Sequence, residues 1–216
     1  MCCRYYVDLS PELRPIIEAA NRSPLAERMK QEAGRELKTA GEIRPTDAAP
    51  VLARARNGHP SVFPMIWGYT GRTRVFNARS ETAASLPMFR ESWRLRRCVI
   101  PAIAYFEWEH LPPSGGKRKT GDRFRIRSGR EPLIYMAGLY RMEESLPHFT
   151  ILTREAAEGI RFIHDRMPVL LSGPLAEEWI RPDCEPEQLL SRAGAEAVPV
   201  FERETETAKE KNRNAL

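Results

Sequence analysis

Apolar and polar positions along the 216-residue chain change period many times, and the stretches are short. Residues 2–9 alternate with a period of two, which predicts a strand. Ser10-Pro11 then opens a helix over 11–20, with Ser10 as cap and Pro11 in the first turn. Residues 24–40 set many charges around Leu25, Met29 and Leu37, as in a second exposed helix or an irregular excursion. Residues 51–54 and 62–69 read as strands joined by an Asn57-Gly58 hairpin turn. The segment 77–84 starts a helix, and 89–97 forms another with Phe89 and Trp93 on one face. Apolar strands follow at 98–102 and 105–109. Pro-Pro, Gly-Gly and three cations in 112–121 predict a mobile surface loop. Strands return at 124–127, 133–139 and 148–152. A helix over 156–163, with Ile160 and Ile163 apolar, delivers His164 at its exit. Short helices close the pattern at 174–180 and 187–192.

Many short strands with interspersed helices, no repeat and no regular βα alternation define an α+β class. The length suits one compact domain, placed at 2–201. A charged tail without an apolar face, 202–216, is expected to fray.

No apolar run reaches the roughly 18 residues of a membrane span. No basic region leads into an apolar stretch at the N-terminus, so a cytoplasmic location is expected, with no membrane partner. Cys2, Cys3, Cys98 and Cys184 form no CxxC, and His59, His110, His148 and His164 lack zinc-ligand spacing. Neither a metal nor another cofactor is expected. A net charge of +5 is compatible with nucleic acid without establishing it.

Cys2 is the sharpest chemical feature. Removal of Met1 exposes a Cys with a free α-amine. That amine has a pKa of roughly 7.7–8.0 against about 10.4 for Lys, so far more of it is neutral and nucleophilic at neutral pH. The amine forms a Schiff base with an aldehyde, and the neighbouring thiol adds to the same carbon to close a thiazolidine. Cys3 cannot, because its nitrogen is an amide. The plainer alternative for Cys2 is a small buried strand residue. Glu107, between Phe106 and Trp108, is either a general acid/base in an apolar wall or a water-facing strand position. His164 is either a proton-transfer group or a helix-end cap, and Asp165 and Arg166 beside it argue against a plain core position. Asn77 is a substrate-orienting amide or a helix cap. Arg4 and Arg79 are phosphate ligands or solvated charges.

Taken together, Met1-Cys2-x-Arg4, Asn77-Ala78-Arg79-Ser80-Glu81-Thr82, Arg97 to Ala102 with Phe106-Glu107-Trp108, Ala137-Gly138-Leu139, Phe149 to Thr153, and His164-Asp165-Arg166-Met167-Pro168 occur in this order. The set resembles the SRAP family, the SOS-response-associated peptidase domain proteins, from Cys2 to about Trp179. The resemblance implies a curved, mainly antiparallel, barrel-like sheet flanked by helices. It also implies a monomer that binds abasic sites in single-stranded DNA and crosslinks to them through Cys2. By motif, Asn77, Glu107 and His164 join Cys2 as catalytic residues. Arg4, Pro45, Arg79, Trp108 and Arg166 bind DNA, with Pro45 wedging against a base. Weak lyase activity and crosslink reversal belong to the same expectation. The chain departs from the pattern at Cys3, usually Gly, at Glu42, where many members have Asn, and at 86–88, which lack a cation found in some members. An N-terminal-Cys hydrolase and a non-catalytic single-strand-binding module remain alternatives, and a metal site at Cys2, Cys3 and His164 is a remote one.

Overall fold

The period-two stretches pair into two sheets in a computed structural model that describes residues 3–114 and 117–204, without the side chains of 112–119. In chain order the elements are β1 (Arg4–Val7), α1 (Arg14–Asn21), α2 (Pro24–Ala33), β2 (Gly41–Ile43), β3 (Ala48–Arg54), β4 (Pro60–Trp67) and β5 (Asn77–Arg79). Then come α3 (Ser80–Ala83), α4 (Pro87–Leu95), β6 (Arg97–Ala102), β7 (Ala104–Ser114), β8 (Lys117–Ser128), β9 (Ile134–Glu143) and β10 (Leu146–Glu155). A 3-10 turn at Glu158–Ile160, β11 (Arg166–Pro168), β12 (Leu170–Leu171), α5 (Gly173–Trp179), α6 (Pro186–Glu196) and β13 (Pro199–Arg203) complete the elements of the described residues.

Strands β10, β4, β3, β6 and β9 close into a barrel, since β9 pairs back onto β10. All its pairings are antiparallel except β10 with β4. The second sheet is antiparallel throughout, in the order β13-β8-β7-β1-β2. One core cluster joins the two sheets, with Tyr5, Tyr105 and Ile126 from the second and Trp67, Ile100 and Phe149 from the barrel. Trp67 is its hub. It stacks on Phe149 at 6.1 Å between ring centroids and lies 5.2 Å from Tyr5. A second cluster packs Phe89 and Trp93 of α4 with Leu175 and Trp179 of α5 on the barrel's outer face. The α+β class and the barrel-like antiparallel sheet expected from the sequence are what the structure shows. No helix among the described residues is long and apolar enough to cross a membrane.

Several elements differ from the sequence pattern, each for a local reason. Helix α1 begins at Arg14, because the Leu13 and Arg14 N–H groups both turn back to the Ser10 carbonyl. Residues 24–40 hold a helix only to Ala33, where Gly34 ends it at φ +60°. Residues 77–79 form a strand before the short helix, because β10 offers its edge in parallel register, Ile151 opposite Asn77. The predicted loop over 112–121 is instead strand in its described part, with β7 running to Ser114 and β8 starting at Lys117 and register shifts between them, while 115–116 lie outside the described residues. The predicted 156–163 helix shrinks to one 3-10 turn. The Ala156 N–H is taken by the Asp165 carbonyl across the β10–β11 connection. Glu202 and Arg203 pair with β8 in β13, while 205–216 lie outside the described residues.

Candidate active site

Glu107 sits on β7, where simple alternation would send every second residue to water. It is 4 % exposed, and Phe106 beside it is 1 % exposed. Both faces of β7 are covered at this point. Burial penalises the carboxylate and pushes its pKa up to about 7, and the negative charge of Asp165 pushes the same way. Glu107 therefore divides between acid and base forms near neutral pH, as a proton-transfer group needs.

His164 leaves the 3-10 turn 6 % exposed. Its Nδ1 accepts the Arg166 N–H at 2.9 Å, and the Asp165 carboxylate lies 2.7 Å away. Burial dominates and lowers its pKa to about 4, with the positive fields of His110 and Arg166 acting in the same direction against that of Asp165. The ring is neutral at physiological pH. The His110 N–H donates to the Ile163 carbonyl at 3.0 Å, which ties the His164 segment to β7. The two imidazoles then lie 4.0 Å apart.

Asn77 opens β5, half-buried, with Phe76 before it anchored twice. The Phe76 carbonyl accepts from Trp67 Nε1 at 2.9 Å and from the Ile151 N–H at 3.1 Å. Arg79 ends the strand exposed. Arg166 is engaged by Glu81 and by the Thr153 carbonyl.

Pro45 occupies the tip of a turn closed by the Asp47 N–H to the Arg44 carbonyl. Thr46 follows at φ 77°, a left-handed conformation that a β-branched residue adopts only under constraint. The constraint is visible. The Thr46 N–H donates to the Trp67 carbonyl at 2.9 Å, and Asp47 Oδ2 accepts the Arg44 N–H at 2.8 Å. Trp108 is half-buried, with the Arg4 and Arg123 guanidinium carbons 5.3 and 5.2 Å from its ring centroid.

Cys2 lies outside the described residues. Its neighbour Cys3 precedes Arg4, which pairs with Phe106 next to Glu107. Burial raises the Cys3 pKa, and the charge of Glu107 raises it further.

Arg123 carries no motif and escaped the sequence reading. The only signal was the alternation Arg123-x-Arg125-x-Arg127 opposite the Phe106-Glu107-Trp108 strand. For metals, His110, His164 and Asp165 bring ligand atoms within 4.8 Å of one another. In the present geometry Nδ1 of His164 is already an acceptor for a backbone N–H, so that nitrogen is not open to an ion. A concavity of about 650 Å³ is lined by Arg35, Arg74, Arg141, Glu143 and His148 and includes none of the candidate site residues.

The model of the family described as SOS response associated peptidase (SRAP) matches residues 1–206. The chain belongs to this family. It is 38 % identical over 124 residues to the Bacillus subtilis abasic site processing protein YobE, a stretch covering 55 % of this chain and 54 % of that protein. It is 31 % identical over 161 residues to the Escherichia coli abasic site processing protein YedK, covering 69 % and 68 %. The match thus spans about half the length of the Bacillus relative. A solved protein from Bacteroides thetaiotaomicron shares the fold at a TM-score of 0.69 and 19 % identity, over 95 % of this chain and 93 % of that one. A phage-related protein from Bordetella bronchiseptica does so at 0.67 and 20 %, over 95 % of each.

Proposed function

We propose that the chain processes abasic sites in single-stranded DNA by forming a covalent crosslink through Cys2 once Met1 is removed. The observation that carries the proposal is Glu107, buried in an apolar wall, with a carboxyl poised near pH 7. It lies beside a strand whose N-terminal end leads to Cys2. Family membership and the printed names of the relatives support the same reading.

An abasic sugar equilibrates between a closed ring and an open aldehyde. Glu107 in its acid form protonates the ring oxygen as the ring opens. Glu107 regains a proton from the anomeric hydroxyl as the aldehyde forms, the Cys2 amine adds to the aldehyde carbon, and the carbinolamine hydroxyl leaves as water with that proton from Glu107, giving a Schiff base. The thiolate then adds to that carbon and closes the thiazolidine. One water is lost overall and no oxidant is needed. Capture beside two tethered nucleophiles makes the second addition intramolecular, an advantage of several kcal/mol. Neutral His164 relays a proton during closure and reversal, and Asn77 orients the opened sugar. Competing elimination from the Schiff base accounts for weak lyase activity.

Arg4 and Arg79 hold phosphates, Trp108 offers a stacking face, and Pro45 on its constrained turn wedges against a base, favouring single strands. Arg166, engaged by Glu81, contributes by holding this surface in place. The protein acts as a monomer in the cytoplasm, at the nucleoid when bound.

The test is a denaturing gel after incubating Met1-free protein with a single-stranded oligonucleotide bearing one abasic site. A heat-stable shifted band that needs both the lesion and Cys2 supports the proposal. Its persistence in Cys2→Ala overturns the proposal, and its absence with Met1 confirmed removed overturns it and favours an N-terminal-Cys hydrolase.

A further inference from the structure

Glu42 of β2 lies opposite Tyr6 of β1 and gathers three arginines. Its Oε1 is 2.5 Å from Arg123 Nη2, and its Oε2 is 3.1 Å from Arg4 Nη1 and 3.6 Å from Arg44 Nη2. Arg4 and Arg123 come from β1 and β8, the two strands that flank β7. Both lie against the Trp108 ring, and Arg123 also lies 3.8 Å over the Phe106 ring. A second acid, Glu204, approaches Arg123 Nε at 3.1 Å. The carboxylate of Glu42 is about one-quarter exposed, and Arg4 about one-third. Solvent, and therefore a ligand, reaches this ion cluster from outside.

A carboxylate bridging two guanidinium groups uses the same N–H donors that a phosphate would accept from. We infer that Glu42 is an internal stand-in for a DNA phosphate. It holds the arginines around Trp108 in position and sets how tightly this chain grips single-stranded DNA. This rests on the function proposed above. A strand entering across Trp108 must displace the Glu42 carboxylate from Arg4 and Arg123, or lie beside it against its charge. Two effects compete when that charge is removed. The arginines lose an orienting partner, and the surface loses one negative charge a few ångströms from the phosphate path. Both guanidiniums keep aromatic contacts with Trp108, and Arg123 keeps Phe106 and Glu204, so orientation survives better than neutrality. The charge effect therefore wins.

The experiment measures binding of an intact oligothymidylate to wild type and to Glu42→Gln over a series of salt concentrations. Glu42→Gln is expected to bind roughly tenfold more tightly at low salt, with a log–log salt slope steeper by about 0.7. Equal or weaker binding with an unchanged slope in a folded variant overturns the inference. Should that variant not fold, the wild-type carboxyl carbon resonance of Glu42 is followed by NMR during the same titration. A shift at saturation supports displacement, and a static resonance overturns it. The abasic-site gel separates the two readings. A wild type that binds intact strands but never crosslinks sinks the crosslinking function alone. A crosslinking protein whose slope ignores Glu42 sinks this inference alone.

Discussion

Arg166 and Glu81 form a two-pronged ion pair, Nη1 to Oε1 at 2.7 Å and Nη2 to Oε2 at 2.8 Å. Arg166 follows His164 by two residues, and Glu81 follows Asn77 by four. Between their segments runs β10, whose Thr153 pairs with Arg79 of β5 on one side and Pro168 of β11 on the other. The Arg166 guanidinium also donates to the Thr153 carbonyl at 2.7 Å. The pair therefore staples two distant motifs across one strand and fixes Asn77 relative to His164. Arg166→Ala removes charged hydrogen bonds from a largely buried side chain and is expected to destabilise the fold by roughly 1–3 kcal/mol. Glu81→Gln, at a half-exposed position, costs less than about 1 kcal/mol. Chemical denaturation of the two variants checks the order. Unchanged stability in both variants would remove the staple.

Glu107 gives a pH dependence with a definite sign. Its folded pKa, about 7, lies above the ordinary 4.5. The native state holds a proton that the unfolded chain has released, so its contribution is fully present below about 4.5 and is lost as pH rises through about 7. Wild type should lose stability relative to Glu107→Gln across that window, by at most a few kcal/mol. Parallel melting curves from pH 4.5 to 7.5 measure it. The crosslinking rate of wild type should inflect near 7, and the slower Glu107→Gln reaction should lack that inflection.

His164 runs the other way. Its folded pKa of about 4 lies below the usual 6.5, so the unfolded chain binds a proton first. The native state keeps its full stability above about 6.5 and loses part of it as pH falls toward 4. His164→Gln should flatten this loss. Its crosslinks should also form or reverse at altered rates at pH 7, where the wild-type ring is neutral. NMR titration of the His164 ring reports the pKa directly, and a midpoint near 6.5 would refute the buried environment.

These assignments show where sequence pattern is legible and where it is not. The β3–β4 hairpin was readable because Asn57-Gly58 specifies its own turn, with Gly58 at φ +88°. Helix α4 was readable because Phe89 and Trp93 bury one face at helical spacing. The burial of Glu107 was not readable, because it requires packing on both faces of β7, which alternation cannot report. The 156–163 stretch misled because buried Ala156, Ile160 and Ile163 carry a helical period, yet their backbone is claimed by the β10–β11 connection. Glu42 stood out as a departure, but its three arginines converge from separate strands and could not be paired in advance.

Cys3 offers a test of which thiol reacts. Its pKa is raised by burial and by the charge of Glu107, so it stays protonated where a free N-terminal thiol would begin to ionise. Its nitrogen is an amide and cannot form a Schiff base. Cys3→Ala is therefore expected to keep the heat-stable crosslink at wild-type yield, whereas Cys2→Ala loses it. Loss of the band in Cys3→Ala would move the chemistry to the second thiol.

Gly138 is a barrel position with no free room for a side chain. It faces Cys98 of β6 and Ile151 of β10 across its two ladders. A Cβ there would lie 2.5 Å from Ile100 Cδ1, 2.8 Å from the Thr150 carbonyl and 3.1 Å from Cys98 Sγ. The Ile100 methyl can rotate, but the Thr150 carbonyl belongs to a barrel strand and can move only if β9 and β10 separate. Trp179 adds to the constraint, since its Nε1 donates to the Gly138 carbonyl at 3.3 Å and to that of Cys98 at 3.1 Å. Gly138→Ala should thus act as overpacking and lower stability by roughly 1–3 kcal/mol. The same substitution at Gly159, where nothing lies within 4 Å of the added carbon, should change stability little. Melting both variants beside wild type isolates the steric effect, because the two differ in surroundings but not in the atoms added. If Gly159→Ala were the more damaging of the two, close packing of β9 against β6 and β10 could not be what requires the glycine.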